Sequence, residues 1–499
     1  MIHDKSTLPS TTGALIAWVL LTLGVLATSV YADEPPRSAT PCWPEFLGRN
    51  ATPLDPASLP LTWSPTENIA WQTKLDGGGQ SSPVIWGDKV FVTSIAGSMK
   101  NECLVTCLSL TDGSILWTWR GESSQPVRSN YFQSRSAPTP VVDEQQVIAF
   151  FETGNLVALN HDGEPLWERS LTEDYGEFEV RIGLAASLTQ TADTVFVLVD
   201  HEGPSYLLAV DKRNGETRWQ TERFSRQSYA SPTILSIGGK QQIVCSSAGS
   251  VDGYDPQTGE MLWTFEDVGG NRACTPLPFG DGRFLVGASP GMHDEHINEA
   301  SQSNFLMNVQ AEGETFEPTI AWHAEKAMPT FGSPMIYRGL AYWVTSTGVL
   351  YCFDAETGQR VYIKRSGQPC WATPLGVGER IYLFGKDGLT TVIAAGPKYQ
   401  VLSKNELMVG ATEKGEADIK RRETRRHGSS DSSAAKPEGE ATEEESSGRP
   451  TTRDGLTFAE DVQYGYAVVN GSLVVRTGSV VHCLKMPAAA ATSSAPAGE

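Results

Sequence analysis

The side chains best suited to bind a metal ion form one short run, His293-Asp294-Glu295-His296. Two imidazoles and a carboxylate at this spacing are ligands that zinc and other transition ions accept. Polar residues also cluster in acidic loops without binding a metal, and that interpretation is the default. We therefore expect no metal site, with His293 and His296 as the weak candidates for ligands.

Residue patterns for other enzymatic chemistry are missing from the sequence. There is no G-x-S-x-G, no H-E-x-x-H and no phosphate-binding glycine loop. There is also no C-x-x-C-H motif for covalent haem. Asp255 and Asp354 occupy equivalent positions before a turn, where an Asp side chain caps the turn. No catalytic residue is assigned.

The strands that would position any site are indicated by a residue pattern that recurs along the chain. Each copy has a small residue, then a polar residue, a turn ending in Gly, and an aromatic residue four positions beyond that Gly. The copies run from Cys107 to Trp117, Ala158 to Trp167, Ala209 to Trp219, Gly253 to Trp263 and Cys352 to Tyr362. Repeats spaced by roughly 40 to 50 residues are typical of propeller blades.

A second signature, Ser or Thr followed by Pro, precedes each β-branched or aromatic run. Because Pro has no amide hydrogen to donate, it marks the start of the first, innermost strand of each unit. The copies are Ser82-Pro83, Thr139-Pro140, Ser231-Pro232, Thr275-Pro276, Ser333-Pro334 and Thr373-Pro374, with Ser187-Leu188 in the remaining place.

These signatures predict an all-β fold, an eight-bladed β-propeller of four-stranded antiparallel blades. The last unit, residues 461–486, lacks an aromatic outer strand, so we expect residues 68–75 to supply it and close the ring. The repeated aromatics should pack between neighbouring blades rather than bind a ligand. They are Trp71, Trp117, Trp167, Trp219, Trp263, Trp322 and Tyr362.

The segments outside the repeats predict the remaining organisation. Residues 1–32 are typical of a signal peptide cleaved after Ala32, with an uncleaved anchor as the alternative. Residues 33–67 form an N-terminal extension before the propeller of residues 68–486. We expect an insertion in the fifth blade at 291–316, a disordered charged insertion at 411–455 and a disordered tail at 487–499.

Charge and cysteine content limit the partners and the covalent links. The formal charge of −20 argues against a nucleic-acid binder. We expect an exported, soluble monomer without stable membrane insertion after cleavage. Cys107, Cys352 and Cys483 occupy the small-residue position of the repeat and should be buried filler. The sequence does not pair the others, which are Cys42, Cys103, Cys245, Cys274 and Cys370.

Loops that run from each outer strand to the next inner strand should converge on the channel mouth of a propeller. They carry Arg135, Arg181, Tyr229, Arg272 and Trp371, which we take as candidate ligand residues. Arginines there could bind a carboxylate or phosphate. The alternative is that they bridge carboxylates of adjacent blades. The same loops contain Tyr131, Arg226 and Phe331, and candidate bridging carboxylates are Glu173, Asp174, Glu177 and Glu179.

The repeats resemble the pyrroloquinoline-quinone-like (PQQ-like) β-propeller family, which includes the outer-membrane assembly factor BamB and the quinoprotein alcohol dehydrogenases. The segments that match this family are repeat units such as SSPVIWGDKVFV and YDPQTGEMLWTF. The segment CWPEFLGRN, which precedes the repeats, is similar to exported propellers of planctomycete bacteria. The resemblance implies a periplasmic or cell-envelope protein.

Three functions follow from that resemblance and from the residues. The preferred one is a non-enzymatic, BamB-like binding or scaffold module that holds an envelope protein or a small anionic ligand on its loop face. A PQQ-dependent dehydrogenase is the alternative, but the adjacent cysteine pair of that family is absent. A glycan-binding propeller is the third. We expect no cofactor.

Overall fold

Short runs of β-branched and aromatic residues, bounded by turns rich in Gly and Asp, form nearly all of the regular structure. The computed structural model describes residues 40–55, 58–127, 135–180, 183–291, 294–428 and 462–486. The chain divides into two units, Met1–Pro36 and Arg37–Glu499, and every described residue belongs to the second.

Strands β1 (Cys42–Trp43) and β2 (Ile69–Lys74) precede the first blade. Blade 1 contains β3 to β6: Val84–Trp86, Lys89–Ala96, Glu102–Ser109 and Ile115–Glu122. Blade 2 contains β7 to β10: Val141–Val142, Gln146–Phe150, Asn155–Asn160 and Pro165–Ser170. Blade 3 contains β11 to β14: Thr189–Gln190, Thr194–Val199, Ser205–Asp211 and Thr217–Arg223. Blade 4 contains β15 to β18: Thr233–Ile237, Lys240–Ser247, Ser250–Tyr254 and Met261–Phe265.

Blade 5 contains β19 to β22: Leu277–Pro278, Arg283–Val286, Phe305–Glu312 and Thr315–His323. Blade 6 contains β23 to β26: Met335–Tyr337, Leu340–Val344, Val349–Asp354 and Arg360–Arg365. Blade 7 contains β27 to β30: Leu375–Val377, Arg380–Phe384, Leu389–Ala394 and Val401–Glu406. Blade 8 contains β31 to β33: Gln463–Val469, Ser472–Thr477 and Val480–Lys485. Helices α1 (Leu171–Tyr175), α2 (Ile297–Ala300) and α3 (Ala411–Gly428) lie in connections.

The eight sheets confirm the predicted eight-bladed β-propeller. Blade 8 is completed by β2, which pairs antiparallel with β33 so that Trp71 lies opposite Cys483. The predicted closure by the N-terminal strand is therefore confirmed. It ties the start of the propeller to its end and covers a sheet edge.

The Ser/Thr-Pro signature has a second role that sequence reasoning missed. In the first six of these seven residues, the backbone N–H donates to the side-chain oxygen of the counterpart in the next blade, at 2.9–3.1 Å. The links join Ser82, Thr139, Ser187, Ser231, Thr275, Ser333 and Thr373 in that order. In blade 8 the chain has Gly465 beside Ser82 instead, and an added Cβ there would lie 2.0 Å from the Ser82 hydroxyl.

The repeated tryptophans contact the following blade. The indole N–H of Trp71, Trp117, Trp167, Trp219 and Trp322 donates to a backbone carbonyl of the next blade at 2.8–3.2 Å. The turn glycine of the next repeat lies against the ring: an added Cβ at Gly163 would be 2.7 Å from Trp117. Trp263 instead donates to Gln242 of its own blade, and Tyr362 packs edge-on against Tyr399 at 5.7 Å.

Two connections differ from the expected boundaries. In blade 5, residues 305–312 form the third strand, β21, which pairs with β20 and β22. The insertion is therefore limited to residues 287–304, and it contains α2. Part of the insertion for which disorder is predicted forms α3. The Gln368 side chain donates to the Ala411 carbonyl at 2.6 Å and holds the start of α3 against the loop between blades 6 and 7. Residues 429–455 and the tail 487–499 lie outside the described residues.

Candidate functional site

The innermost strands of the eight blades surround a central channel with two different ends. Because the strands of each blade alternate in direction, the loops from outer to next inner strand all lie on one face, which we call the loop face. The tight turns that follow the inner strands lie on the opposite face, the turn face.

Residues 41–52, here called the channel segment, fill the channel toward the turn face. Strand β1 pairs antiparallel with β3, with Cys42 opposite Trp86 and Trp43 opposite Ile85. The Gly87 amide donates to the Pro41 carbonyl, and the Val142 amide of blade 2 donates to the Pro44 carbonyl, both at 2.8 Å. The segment therefore bridges the inner strands of two blades.

An ion pair fixes the middle of the channel segment to blade 3. Glu45 is only 2% exposed, and its carboxylate lies 2.5 Å from the Arg49 guanidinium. The same carboxylate accepts from the Thr189 hydroxyl at 3.1 Å and the Gln190 amide at 3.3 Å. Burial raises the pKa of the Glu45 carboxyl, and Arg49 opposes that rise.

A tight turn after Glu45 needs left-handed backbone. Gly48 has a φ of 70°, and an added Cβ would lie 2.6 Å from the Trp43 ring. Leu47 also has a positive φ, 61°, which is strained for a residue with a Cβ. Trp43 packs on Tyr466 of blade 8, with ring centroids 5.9 Å apart. The turn therefore packs tightly against its own strand and the last blade.

The sequence predicts these residues only as part of an extension before the propeller. Their apolar composition, with Cys42, Trp43, Phe46 and Leu47 close together, was the available signal that the segment is buried. The partners in four separate blades could not be read from local spacing.

Toward the loop face, the channel segment forms the floor of a small cavity of about 40 Å³. Phe46 and Leu47 form the floor, and Phe331, Trp371 and Tyr464 stand on the wall. Phe331 meets Trp371 edge-on with centroids 5.0 Å apart, and Tyr464 lies 6.3 Å from Trp371. The Lys386 ammonium lies 5.3 Å from the Trp371 ring centre. The remaining lining residues are Ser82, Ala273, Ser333, Ala372, Thr373, Gly465 and Tyr466.

The structure describes four of the five candidate ligand residues and does not bring these four together. Of the four, only Trp371 lines the cavity, together with Phe331 from the same set of loops. Arg135 is 1% exposed, so it presents no cation at the channel mouth. Arg181 and Tyr131 lie outside the described residues.

The other two candidates contact each other through the backbone. The Arg272 carbonyl accepts from the amides of Tyr229 at 2.6 Å and Ala230 at 3.0 Å. The Tyr229 hydroxyl donates to the Gln227 side chain at 3.2 Å. Their loops are therefore joined between blades 4 and 5, next to cavity residue Ala273.

Arg226 belongs to a buried ionic network between blades 3 and 4. Its guanidinium lies 3.5 Å from the Asp252 carboxylate, which also pairs with Arg223 at 3.2 Å. Arg223 lies 2.9 Å from Asp200 as well. Of the carboxylates considered in the sequence, Asp174 pairs with Arg169 at 2.7 Å. Arg223 therefore bridges carboxylates of adjacent blades, Asp200 of blade 3 and Asp252 of blade 4, whereas Arg226 pairs with Asp252.

The metal candidates are not assembled into a site among the described residues. His296 Nδ1 lies 3.1 Å from the Glu299 carboxylate, and His293 lies outside the described residues. Over the part of the chain that the structure describes, no group of three or more His, Cys, Asp or Glu side chains is arranged to hold a metal. Asp255 and Asp354 each accept amide hydrogen bonds of their own turns, at 2.7–3.0 Å.

All eight cysteines are buried thiols, and none forms a disulfide. Cys107 lies directly opposite Trp117, Cys352 opposite Tyr362 and Cys483 opposite Trp71, so a small side chain there leaves room for the aromatic ring. Burial raises the pKa of Cys274 and Cys370 to about 12. The thiols are therefore protonated and poorly reactive.

The channel mouth does not fit the quinone cofactor that the resemblance suggests. Small-molecule sites have volumes of roughly 300–1,000 Å³, whereas the cavity has about 40 Å³. The channel segment occupies the space below it.

A search of the helices among the described residues finds none that is long and apolar enough to cross a membrane.

Comparisons with known proteins agree with the repeats and the fold. A family described as "Outer membrane protein assembly factor BamB" matches residues 62–197 and 179–277. BamB of Alkalilimnicola ehrlichii is 27% identical over 218 residues, 42% of this chain and 49% of that protein. BamB of Shewanella oneidensis is 22% identical over 215 residues, 41% of this chain and 50% of that protein. The chain thus spans about half the length of these curated relatives.

The crystal structure of BamB from Moraxella catarrhalis shares the fold. The two superpose with a TM-score of 0.51 at 16% identity, over 83% of this chain and 95% of that one. The repeats in the sequence, the blade architecture and the curated relatives all indicate the same kind of propeller. Together these matches support a PQQ-like, BamB-like propeller family for this chain.

Proposed function

We propose that this chain is an exported, non-enzymatic propeller that binds a protein partner in the cell envelope through its loop face. Its curated relatives are named outer membrane protein assembly factors, which supports a scaffold role in the envelope. Export is supported by the leader of residues 1–32, which lies outside the described residues. The mature protein should begin at Asp33, and N-terminal sequencing of the secreted form tests this.

A binding rather than catalytic role is supported by how the polar residues are used. The ionic groups of the network between blades 3 and 4 pair with one another, and the Arg223 side chain is fully buried. Asp255 and Asp354 cap turns. The cavity at the channel mouth is too small for a quinone.

The observation that carries the proposal is the exposure of large apolar side chains on the loop face. Phe224 is 79% exposed and Val409 is 81% exposed, whereas the other large apolar side chains that the structure describes reach 51% at most. Phe224 lies in the loop from blade 3 to blade 4, and Val409 in the loop from blade 7 to blade 8. They therefore stand on opposite sides of the channel mouth, where a partner could cover both.

Between Phe224 and Val409, the loop face presents both apolar and polar side chains, and this mixture suits the binding of a protein. The half-buried aromatics Phe331, Trp371 and Tyr464 surround the mouth, and Arg226 stands near Phe224. Aromatic and Arg side chains are enriched at the energetic centres of protein interfaces. A polypeptide can contact such a patch through apolar and polar groups together.

Affinity purification from an envelope extract, with the protein tagged at its C-terminus, tests the proposal. A partner should co-purify with the parent protein and drop at least fivefold with Phe224→Ser. Leu166→Ser is the matched control, because Leu166 is 50% exposed on the outer strand β10 rather than on the loop face. Equal recovery of the partner with both variants would contradict the assigned surface. Dye reduction by the protein after addition of quinone and calcium would contradict its non-enzymatic role.

A further inference from the structure

The cavity at the channel mouth combines a small apolar space with polar hydrogen atoms that lack acceptors. Trp371 lines the cavity, and among the described residues its buried indole N–H has no hydrogen-bond acceptor. The Arg272 Nε–H, next to cavity residue Ala273, also has none. Buried donors without acceptors cost free energy, and such groups at a concave apolar surface are typical of a ligand site.

The polar groups favour an anionic acceptor over a neutral or cationic one. Trp371 and Arg272 can only donate through these nitrogens. The Lys386 ammonium lies 5.3 Å from the Trp371 ring centre, although Asp387 is 3.4 Å from it and offsets part of its charge. Hydrogen bonds to a carboxylate are shorter and stronger than those to a neutral carbonyl.

The volume limits the apolar part of the ligand. About 40 Å³ holds one small aliphatic group but not an aromatic ring. The floor is set by Phe46 and by Leu47, whose φ of 61° is strained for a residue with a Cβ. The channel segment is anchored below by the Glu45–Arg49 pair, so the depth of the cavity is fixed.

We propose that the channel mouth is a pocket for the C-terminal residue of a partner polypeptide, with a small aliphatic side chain resting on Leu47 and the terminal carboxylate accepting from the Trp371 indole. A chain terminus carries its carboxylate and its side chain on one carbon, so both reach the cavity together. The pocket deepens the proposed function, on which it rests, by naming which part of a protein partner enters the mouth. Leu47 determines specificity, because its side chain limits how large a residue can enter.

Calorimetric titration of the full mature protein with short peptides tests this pocket. The probes are Gly-Ser-Gly-Val with a free C-terminus, the same peptide as its C-terminal amide, and Gly-Ser-Gly-Phe with a free C-terminus. The first should bind, the amide should bind at least tenfold more weakly, and the third should not bind. Equal affinity for acid and amide, or no binding of the first peptide at millimolar concentration, would overturn the proposal.

Two variants separate the polar from the apolar contribution. Trp371→Phe retains the ring packing against Phe331 but removes the N–H, and should weaken binding of the free acid at least tenfold. Leu47→Gly relieves the strained backbone and enlarges the cavity, and should allow the peptide ending in Phe to bind. Failure of both shifts, in variants that still unfold in one cooperative thermal transition, would also overturn it.

Failure of the proposed pocket can be distinguished from failure of the proposed function. Loss of the envelope partner on Phe224→Ser depends on the outer loop surface, whereas peptide-end binding depends on Trp371 and Leu47. If Phe224→Ser abolishes partner recovery while the free-acid peptide shows no affinity, the docking surface stands and the pocket falls. A stoichiometric complex with free pyrroloquinoline quinone would also overturn the pocket, because the quinone and the peptide end require the same space.

Discussion

The two ends of the central channel differ in how their polar groups are satisfied. At the turn face, Glu45 of the channel segment accepts from Arg49, Thr189 and Gln190, and Pro44 accepts from Val142. The Trp43 indole N–H is the group of this segment that has no acceptor among the described residues. At the loop face, the Trp371 and Arg272 nitrogens named above lack acceptors. One end is closed by residues 41–52 as part of the fold, whereas the other keeps a cavity, in which we propose that a ligand binds.

The largest expected effect comes from breaking the ion pair at the closed end. Glu45→Ala removes the acceptor for Arg49 and for two groups of blade 3, so we expect the free energy of unfolding to fall by about 3 kcal/mol. Urea denaturation measures it. Asp162→Ala is the control, since Asp162 pairs with Lys89 at 3.2 Å but is 84% exposed, and it should cause no measurable loss. Equal losses would mean that the channel segment does not stabilise the ring.

The tight turn of the channel segment provides a second comparison. Gly48→Ala should cost about 2 kcal/mol of unfolding free energy, because the added Cβ meets the Trp43 ring as well as left-handed backbone. Gly313→Ala has a similar φ, 68°, with no atom within 4 Å of the added Cβ, and should cost about 1 kcal/mol. Thermal denaturation of both variants gives the difference. If they lose the same stability, the turn is not packed as described.

A matched pair of tryptophan substitutions tests whether the open end contributes to stability. Trp371→Phe should reduce the free energy of unfolding by about 1 kcal/mol or less, since the side chain is half-buried and its N–H lacks a partner. Trp43→Phe, at a residue only 4% exposed, should cost about 2 kcal/mol because it opens a gap beside Gly48. The reverse order, read from denaturation midpoints at equal m-values, would contradict the assignment of the two ends.

The smallest expected effect is on the pH dependence of stability. Burial raises the pKa of Glu45 above its usual value of 4.5, so the folded state binds more protons than the unfolded state between these two pKa values. Stability from this group is therefore greatest below pH 4.5 and declines as pH rises through the folded pKa. Glu45→Gln should remove that decline, while the slope from the other groups remains. Unchanged pH profiles would show that Glu45 titrates as an exposed carboxyl does.

The repeated units were predictable because their signals are local. The Gly turn, the aromatic four positions later and the opposing small residue all lie within one hairpin, and Cys107 does face Trp117. The unpaired last unit pointed to β2 by the same logic, because every blade needs a fourth strand.

The candidate site was less predictable because loop direction depends on packing. Arg135 and Arg272 share loops of the same class, yet one is 1% exposed and the other is half-buried. Spacing placed both near the mouth but gave no information about which way each side chain turns. The charged insertion shows a related difference, since the contact of Gln368 with Ala411 anchors a helix where polar composition predicts disorder.

The amino-acid sequence by itself determined the number of blades, the position of the inner strands and the way the ring closes, since turn chemistry and strand patterning act over a few residues. Only the tertiary structure decided that the channel is filled from the turn face and left with a small aromatic cavity at the loop face. Those features depend on contacts of residues 41–52 with the inner strands of blades 1, 2, 3 and 8. Contacts between residues so far apart in the sequence produce no periodic pattern in it.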